Sequence, residues 1–339
     1  MNTEYLLAEL CSACGVSGDE APVIKKTSEL LKKYAGLDSV VSGGNLTVSI
    51  GERCEGKKHI LVDAHIDEIG MIVSYIDEDG FIVPGNIGGM DYRILPAQKV
   101  TVHGKEEIFG VISTVPPHLT SGSSVMKNMD HIRIDTGYSR EELEKYVSPG
   151  DTVSFFAPFA RLSGSGVTGK SLDNRAGAAA LVLLAEMIRN DNLQGCSVTL
   201  LFSSSEEIGE RGAKTACYEI NPDIALVIDT SFALTPDDSP KKCGLMGKGP
   251  MIGISPSLSR EITDGLMETA AVCGIPYQTE VMSGLTGTNA DQFSVSRCGV
   301  KTCTVSVPIR HMHTPAETAD LTDIENTAGL IAEYIRRVK

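Results

Sequence analysis

Ionisable side chains stand at the ends of four apolar runs in this sequence. The runs are "HILVDAHID", "VTLLFSSSEEIG", "IALVIDTS" and "CTVSVPIRHMHTPAE", and they end in these groups: His65 with Asp67, Glu206 with Glu207, Asp229, and His311 with His313. A fifth acid, Asp173 in "KSLDNRAG", precedes a segment with helical spacing. Convergent carboxylates raise one another's pKa unless a cation lies among them. Two imidazoles with several carboxylates and no thiolate suit zinc, cobalt or manganese, so the pattern predicts a metal site.

The types of these side chains also indicate which reaction such a site would catalyse. In two-metal hydrolases a pair of ions about 4 Å apart clamps the reacting oxygens, and one carboxylate could bridge such a pair. The consecutive acids Glu206 and Glu207 suggest that one ligates a metal while the other accepts a proton from an activated water. A strand places side chains two apart on one face, so Asp63, His65 and Asp67 are expected to project together. The alternative is a strand that simply leaves the core.

Strands and helices of an α/β domain would have to position these groups. Apolar strands are predicted before each acidic or imidazole group, and helices are predicted over 3–12, 20–34, 174–190, 258–273 and 322–338, the last capped by Thr322 or Asp323. Open α/β sheets bind ligands beyond the carboxyl ends of their strands. Short β-rich runs separated by turns fill residues 68–162 and predict a small barrel or sandwich. We therefore expect a discontinuous domain of residues 1–67 and 163–339, with 68–162 inserted.

Composition excludes several classes of function. The formal net charge of −14 argues against nucleic acid and anionic membranes as partners. Hydrophobic residues make up 42%, enough for a sizeable core, and no apolar run approaches the roughly 20 residues that span a bilayer. The first ten residues carry no basic segment, so no signal peptide is expected. Nine cysteines, an odd number, favour a reduced, cytoplasmic protein.

Three other functions fit parts of the sequence. The segment "GSGVTGKS", residues 164–171, satisfies the P-loop pattern of nucleotide hydrolases, although "APFARLS" separates it from the preceding strand. Carboxylate pairs would also serve a glycosidase, although the chain has no tryptophan to stack on sugars. A non-catalytic metal-binding scaffold is the third alternative. That scaffold would have no need for Glu206 beside the metal ligands.

The motifs resemble those of the tetrahedral, TET-type aminopeptidases, a family that includes glutamyl and deblocking aminopeptidases and cellulase M-like proteins. The resemblance covers nearly the whole chain and rests on "DAHIDEIG", "GGMDYRILPAQKVTVHG", "GVISTVPPHL", "GKSLDNRAG", "SSSEEIGERGA", "IDTS", "GTNADQF" and "HMHTPAE". It implies a mixed central sheet flanked by helices, as in zinc peptidases, with an inserted β-rich barrel. It also implies an aminopeptidase that acts on short peptides.

The resemblance implies a role for each candidate residue. Two divalent ions, zinc first and cobalt or manganese as alternatives, would be held by five ligands: His65, Asp173, Glu207, Asp229 and His313. Asp173 would bridge the two ions, and Glu206 would be the general base that activates a metal-bridging water. Asp67 would orient His65 and tune the metals. The following Thr-Pro selects His313 over His311, which is then structural.

Three further expectations follow from the resemblance. Asn174 stands where the family often has a second acid, and its neutral amide cannot supply the charge of that acid beside the metal ligands. Asn289 and Asp291 are expected to help line the substrate pocket. The inserted domain would build dimers, which would close into a hollow tetrahedral dodecamer that admits short peptides and excludes folded proteins.

Overall fold

The computed structural model describes residues 2–114, 129–236 and 238–338, which form seventeen strands and eight α-helices. The strands are β1 (Val40–Ser42), β2 (Asn45–Ile50), β3 (Lys58–His65), β4 (Gly70–Ile76), β5 (Ile82–Ile87), β6 (Lys99–His103), β7 (Glu107–Ile112), β8 (Ile134–Asp135), β9 (Thr152–Phe155), β10 (Ala160–Arg161), β11 (Gly166–Gly169), β12 (Cys196–Ser203), β13 (Ile224–Phe232), β14 (Met251–Ile254), β15 (Gln278–Val281), β16 (Lys301–Ile309) and β17 (Glu317–Asp320). The helices are α1 (Thr3–Ser12), α2 (Ala21–Ala35), α3 (Arg140–Leu143), α4 (Leu172–Ile188), α5 (Arg211–Ile220), α6 (Arg260–Cys273), α7 (Ala290–Ser294) and α8 (Leu321–Arg337).

A mixed eight-stranded sheet forms the centre of the molecule, in the order β1-β2-β12-β3-β13-β16-β14-β15. The four central strands β12, β3, β13 and β16 run parallel, while β2 and β14 flank them in the antiparallel direction. All four parallel strands therefore end at the same edge of the sheet. These are the strands whose ends carry the ionisable groups of the sequence motifs.

Helices cover both faces of this sheet, which explains why its strands read as continuous apolar runs. Along β3, Ile60 and Val62 join the core formed with α1, α2, α4, α6 and α8. Leu61, which points to the opposite face, joins a second core with α5 and α7. In the part of the chain that the structure describes, no helix is both long enough and apolar enough to cross a membrane.

The predicted β-rich insertion contains a closed six-stranded barrel, in the order β4-β5-β8-β7-β6-β9. The barrel runs from Gly70 to Phe155 and has its own apolar core. The expected α/β fold with an inserted barrel is confirmed. Residues 115–128 of the insertion, which include the end of the "GVISTVPPHL" motif, lie outside the described residues, and the exact domain boundaries stay a prediction.

The P-loop alternative is wrong, because the glycine-rich segment is part of a sheet. Gly166–Gly169 forms β11, which pairs with β10 on one side and β17 on the other. The following Lys170 is buried and donates from Nζ to both carboxylate oxygens of Glu68, at 2.7 and 2.6 Å. Neither the backbone nor the lysine is therefore free to cradle a phosphate.

The start of the last helix also differs from the expectation. The N-cap residue of α8 is Asp320, whose carboxylate accepts from the backbone N–H of Thr322. Asp323 instead accepts from the backbone N–H groups of Gly247 and Gly249. The sequence could not distinguish a capping carboxylate from one that ties a distant loop to the helix.

Candidate active site

The structure brings the five predicted metal ligands together at the edge where the parallel strands end. His65 is the last residue of β3, and Asp229 lies in β13 beside it. Glu207 follows β12, and the register pairs the last residue of β12, Ser203, with His65. His313 follows β16, and Asp173 lies in the first turn of α4, where the Asp173–Asn174 peptide bond is cis.

Asp173 lies between the two imidazoles and offers one carboxylate oxygen to each. Its Oδ1 is 3.2 Å from Nε2 of His65, and its Oδ2 is 3.3 Å from Nε2 of His313. On the first side, Asp229 Oδ1 lies 3.6 Å from the same His65 nitrogen. On the second side, Glu207 Oε1 lies 3.3 Å from the His313 nitrogen. The cluster therefore divides into two halves that share Asp173.

Each half has the donor set of a metal site. The ligand atoms of His65, Asp173 and Asp229 lie within 4.8 Å of one another, and so do those of Asp173, Glu207 and His313. Imidazole nitrogen and carboxylate oxygen, without thiolate, are the ligands that zinc and its neighbours accept. The residues present thus fit a pair of divalent ions with one shared carboxylate.

The electrostatics of the cluster also favour a bound cation. Burial, reinforced by the nearby carboxylates of Asp229, Glu207 and Asp173, raises the pKa of Glu206 to about 9. Burial likewise raises the pKa of Asp229 and of Glu207. Asp173 is the exception, because hydrogen bonds with His313 and His65 outweigh its burial and hold its pKa well below the usual range. Two buried acids, Asp173 and Asp229, and two partly buried acids, Glu206 and Glu207, share two imidazoles, so a positive ion among them would relieve their repulsion.

Asp67 is fully buried beside the cluster, and it contacts a backbone segment and a serine in addition to His65. Its Oδ1 lies 3.4 Å from Nδ1 of His65, on the side of the ring away from Asp173. The same carboxylate accepts from the backbone N–H groups of Glu206, at 3.0 Å, and of Glu207, at 3.2 Å. It also accepts a 2.5 Å hydrogen bond from the Ser17 hydroxyl. Asp67 therefore positions the segment with both glutamates as well as the histidine, which the sequence did not indicate.

Glu317 is a positioning residue that the sequence motifs did not predict. Its buried carboxylate accepts from the backbone N–H of Asp173 at 3.0 Å and of His313 at 2.8 Å. One side chain thus fixes the spacing between two segments that carry candidate ligands. The only sequence signal was an acid four residues after His313, at the end of the "HTPAE" motif.

Asn174 supplies two hydrogen bonds in place of the acid that the resemblance led us to expect. Its Nδ2 donates to the carbonyl of Ile228 at 2.9 Å, and its Oδ1 accepts from the backbone N–H of Gly177, also at 2.9 Å. Ile228 directly precedes Asp229. The amide therefore ties the start of α4 to β13 next to a candidate ligand, and an ionised acid could not donate the first of these bonds.

Asn289 and Asp291 support the pocket from behind, so the expectation that they line it is wrong. Asn289 is fully buried and donates at 2.8 Å both to Asp63 and to Ser203 beneath the cluster. Asp291 accepts from the backbone N–H groups of Thr286 and Gly287, which themselves line the pocket. His311 is exposed and takes no part in the cluster.

A cavity of about 550 Å³ opens above the cluster. Its floor includes the candidate ligands and Glu206, and its walls include Phe232, Glu280, Met282 and Met312. A cavity of this size accommodates one amino-acid side chain and the adjoining main chain, as expected of a small-molecule or peptide-end site.

An α/β sheet with carboxylates and imidazoles converging beyond its strand ends, beneath an open cavity, defines a hydrolase with a metal-type centre. The chain belongs to the M42 glutamyl aminopeptidase family, whose model matches residues 44–330. This membership confirms the resemblance noted in the sequence and identifies the protein as a peptide-bond hydrolase. It favours a peptidase over the glycosidase alternative.

Relatives from archaea align with almost the entire chain. A lysyl aminopeptidase of Pyrococcus furiosus is 33% identical over 98% of this chain and 97% of its own length. An aminopeptidase of Desulfurococcus kamchatkensis superposes with a TM-score of 0.91, at 32% identity, over 99% of this chain and 94% of that chain. A TET1 peptidase of Pyrococcus horikoshii, described as able to assemble into a tetrahedron or a large octahedral shell, has a TM-score of 0.86, 33% identity and 98% coverage of both chains.

Proposed function

We propose that this protein is a dinuclear metal-dependent aminopeptidase that removes N-terminal residues from short peptides. The observation that carries the proposal is Asp173, which turns one carboxylate oxygen toward each of two imidazoles. One ion would be held by His65, Asp173 and Asp229, and the other by Asp173, Glu207 and His313. Zinc is the first choice, and cobalt or manganese also suit these ligands.

Glu206 is the proposed general base. When bound, the two ions supply Lewis acidity that polarises the scissile carbonyl and acidifies the attacking water. Glu206 borders the cavity and lies within reach of His65 and Glu207, but each half of the cluster has three candidate ligands without it. Its carboxylate takes the proton of the attacking water and passes it to the leaving amine. Positive charge nearby would lower the pKa of Glu206 from its raised value, so the acid would be ionised at neutral pH.

The acidic floor of the cavity also accounts for cleavage at the chain end. A protonated N-terminal amine is attracted to the carboxylates around the cluster, whereas an acetylated terminus has no charge to offer. We expect aminoacyl 4-nitroanilides to be hydrolysed when zinc, cobalt or manganese is supplied, and N-acetylated versions of the same substrates to be left intact. Spectrophotometric assay of a panel of first residues, with and without added metal, tests both points. Equal hydrolysis of the N-acetylated substrates and of those with a free α-amine would contradict the proposal.

We also propose that the protein forms a homo-oligomer through its barrel, most simply dimers that close into a dodecamer. The outer face of the barrel carries Phe109, Val111 and Phe156, which are 50%, 38% and 51% exposed. The rings of Phe109 and Phe156 pack edge to face with their centres 5.3 Å apart. Exposed apolar clusters of this kind are typical of protein interfaces.

The cytoplasmic location of the protein stays a prediction from its cysteine content.

Replacing Phe109 and Phe156 together by Glu is expected to break the assembly. The two acids would place like charges on both sides of the contact, which weakens association while costing the separate subunit little, since both sites are half exposed. Multi-angle light scattering should show a large oligomer for the wild-type protein and dimers or monomers for the variant. Replacing Val272 and Val281 by Glu gives a matched control, because both are exposed and lie outside the barrel, on α6 and β15. A wild-type monomer at working concentration would contradict the proposal.

A further inference from the structure

One acid of the cavity, Glu280, has no place among the proposed ligands and base. It lies on the edge strand β15, and its carboxylate reaches back toward the centre of the sheet. There it accepts hydrogen bonds from the hydroxyl of Ser231 and, at 3.2 Å, from the hydroxyl of Ser306. Glu280 therefore borders the cavity from the β15 side of the sheet, whereas His65 reaches it from β3.

Both serines locate Glu280 relative to the reacting centre. Ser231 lies two residues beyond Asp229 on the same face of β13, which corresponds to about 7 Å along the strand. Ser306 is the register partner of Asp229 on β16. The Glu280 carboxylate is thus fixed close to the proposed metals, at a distance that a single substrate side chain can cross.

The Glu280 carboxylate contacts two neutral hydroxyls and, among the described residues, no lysine or arginine. Among the described residues that line this cavity there is no lysine and no arginine. The two groups that hold the carboxylate are neutral hydroxyls, and burial raises the pKa of Glu280. Partial burial of an acid that only neutral groups contact is costly. A glutamine could accept from one serine hydroxyl and donate to the other without that cost, so the acid is more than a tie between strands.

Apolar side chains flank the approach to this acid. Phe232, Met282 and Met312 line the same cavity. A long side chain with an apolar stem and a cationic end would lay its stem along such walls and its charge against the carboxylate. Lysine and arginine have this form, and an acidic side chain would meet repulsion from Glu280.

We propose that Glu280 is the specificity-determining residue for the N-terminal side chain of the substrate and selects lysine and arginine. This assignment rests on the proposed aminopeptidase function and adds the substrate class. It places the basic side chain against Glu280 and the scissile bond over the cluster. It also means that glutamyl substrates, after which the family is named, are poor substrates of this chain.

Four 4-nitroanilides test the assignment: those of lysine, arginine, norleucine and glutamate. Norleucine has the carbon chain of lysine without the terminal ammonium, so the ratio of kcat/KM for lysine to that for norleucine measures recognition of the charge. The ratio is compared in the wild-type enzyme, in Glu280→Gln, and in Glu261→Gln. Glu261 is an exposed acid on α6 that pairs with Lys301, so its variant has the same net charge as Glu280→Gln without touching the cavity.

The wild-type ratio is expected to be about ten- to a hundredfold, the range of a charge-assisted hydrogen bond, with glutamate the poorest substrate. Glu280→Gln should bring the ratio close to one while changing the norleucine value by less than about threefold. Glu261→Gln should retain the wild-type ratio. Because the ratio is taken within one preparation, partial misfolding of a variant does not affect it.

Two results would overturn the assignment while leaving the proposed function intact. One is a wild-type enzyme that hydrolyses norleucine or glutamate as well as lysine. The other is a Glu280→Gln variant that loses activity equally on all four substrates, which would show that Glu280 binds the substrate's α-amine or supports the cluster. Absence of hydrolysis of every substrate by the metal-supplied wild-type enzyme would instead overturn the proposed function, and this assignment with it.

Discussion

The Glu206→Gln variant is expected to lose at least about a hundredfold in kcat while binding as much metal as the wild-type protein. Glutamine has the size and hydrogen-bonding capacity of the acid but cannot accept the proton of the attacking water. The backbone N–H of Glu206 donates to Asp67, a contact that the substitution leaves in place. The geometry of the segment with Glu206 and Glu207 should therefore persist, and the variant should lose kcat rather than bound metal. Steady-state kinetics and elemental analysis of the same preparation measure the two quantities.

The neighbouring Glu207→Gln variant is the matched control for this result. It makes the same chemical change one residue along the chain, but at a carboxylate that lies 3.3 Å from the imidazole of His313. We expect it to lose bound metal, and part of its activity should return when the metal concentration is raised. If Glu206→Gln turned over normally, or if it were the variant that lost metal, the roles of the two glutamates would be reversed or wrong.

The Asp173→Ala variant is expected to lose metal from both halves of the cluster and at least about a thousandfold in kcat/KM. Asp173 is the one carboxylate that contacts the imidazoles of both halves, so its removal would leave each half with one candidate ligand fewer. Metal ions supply several kcal/mol of transition-state stabilisation in hydrolases, and each 1.36 kcal/mol corresponds to a tenfold change in rate. Isothermal titration with zinc and the anilide assay test the two losses.

Asp38→Ala provides a control for the loss of one negative charge, because Asp38 is an exposed acid that pairs with Lys32. It should bind metal and turn over substrate like the wild-type protein. Circular dichroism should show that Asp173→Ala remains folded, since the substitution leaves the apolar core unchanged and retains the hydrogen bond from the backbone of residue 173 to Glu317. An Asp173→Ala variant with wild-type metal content would show that Asp173 is not the shared ligand.

The sequence predicted most of the candidate site because every group except Asp173 follows an apolar strand of its own. Parallel strands end at one edge of a sheet, so the order of motifs along the chain was enough to expect that His65, Asp229 and His313 meet. The barrel was predictable for a related reason, since its short strands alternate with turns over residues 68–162. These inferences use only local pattern and a general rule of topology.

Contacts between side chains and distant backbone could not be predicted in this way. Glu317 accepts from the backbone of His313, four positions before it, and from the backbone of Asp173, 144 positions before it. Glu280 reaches the cavity from an edge strand whose position in the sheet no local pattern specifies. The P-loop match failed for the opposite reason: a short glycine motif carries no information about whether it lies in a loop or in a strand such as β11.

Counting the ions that restore activity to the metal-free protein tests the central claim most directly. The protein is stripped with a chelator, its residual metal is measured by elemental analysis, and zinc, cobalt or manganese is then titrated while hydrolysis of an aminoacyl 4-nitroanilide is followed. The stripped protein should be inactive, and activity should rise to a plateau at two ions per chain. Full activity in protein shown to contain no metal would contradict the account.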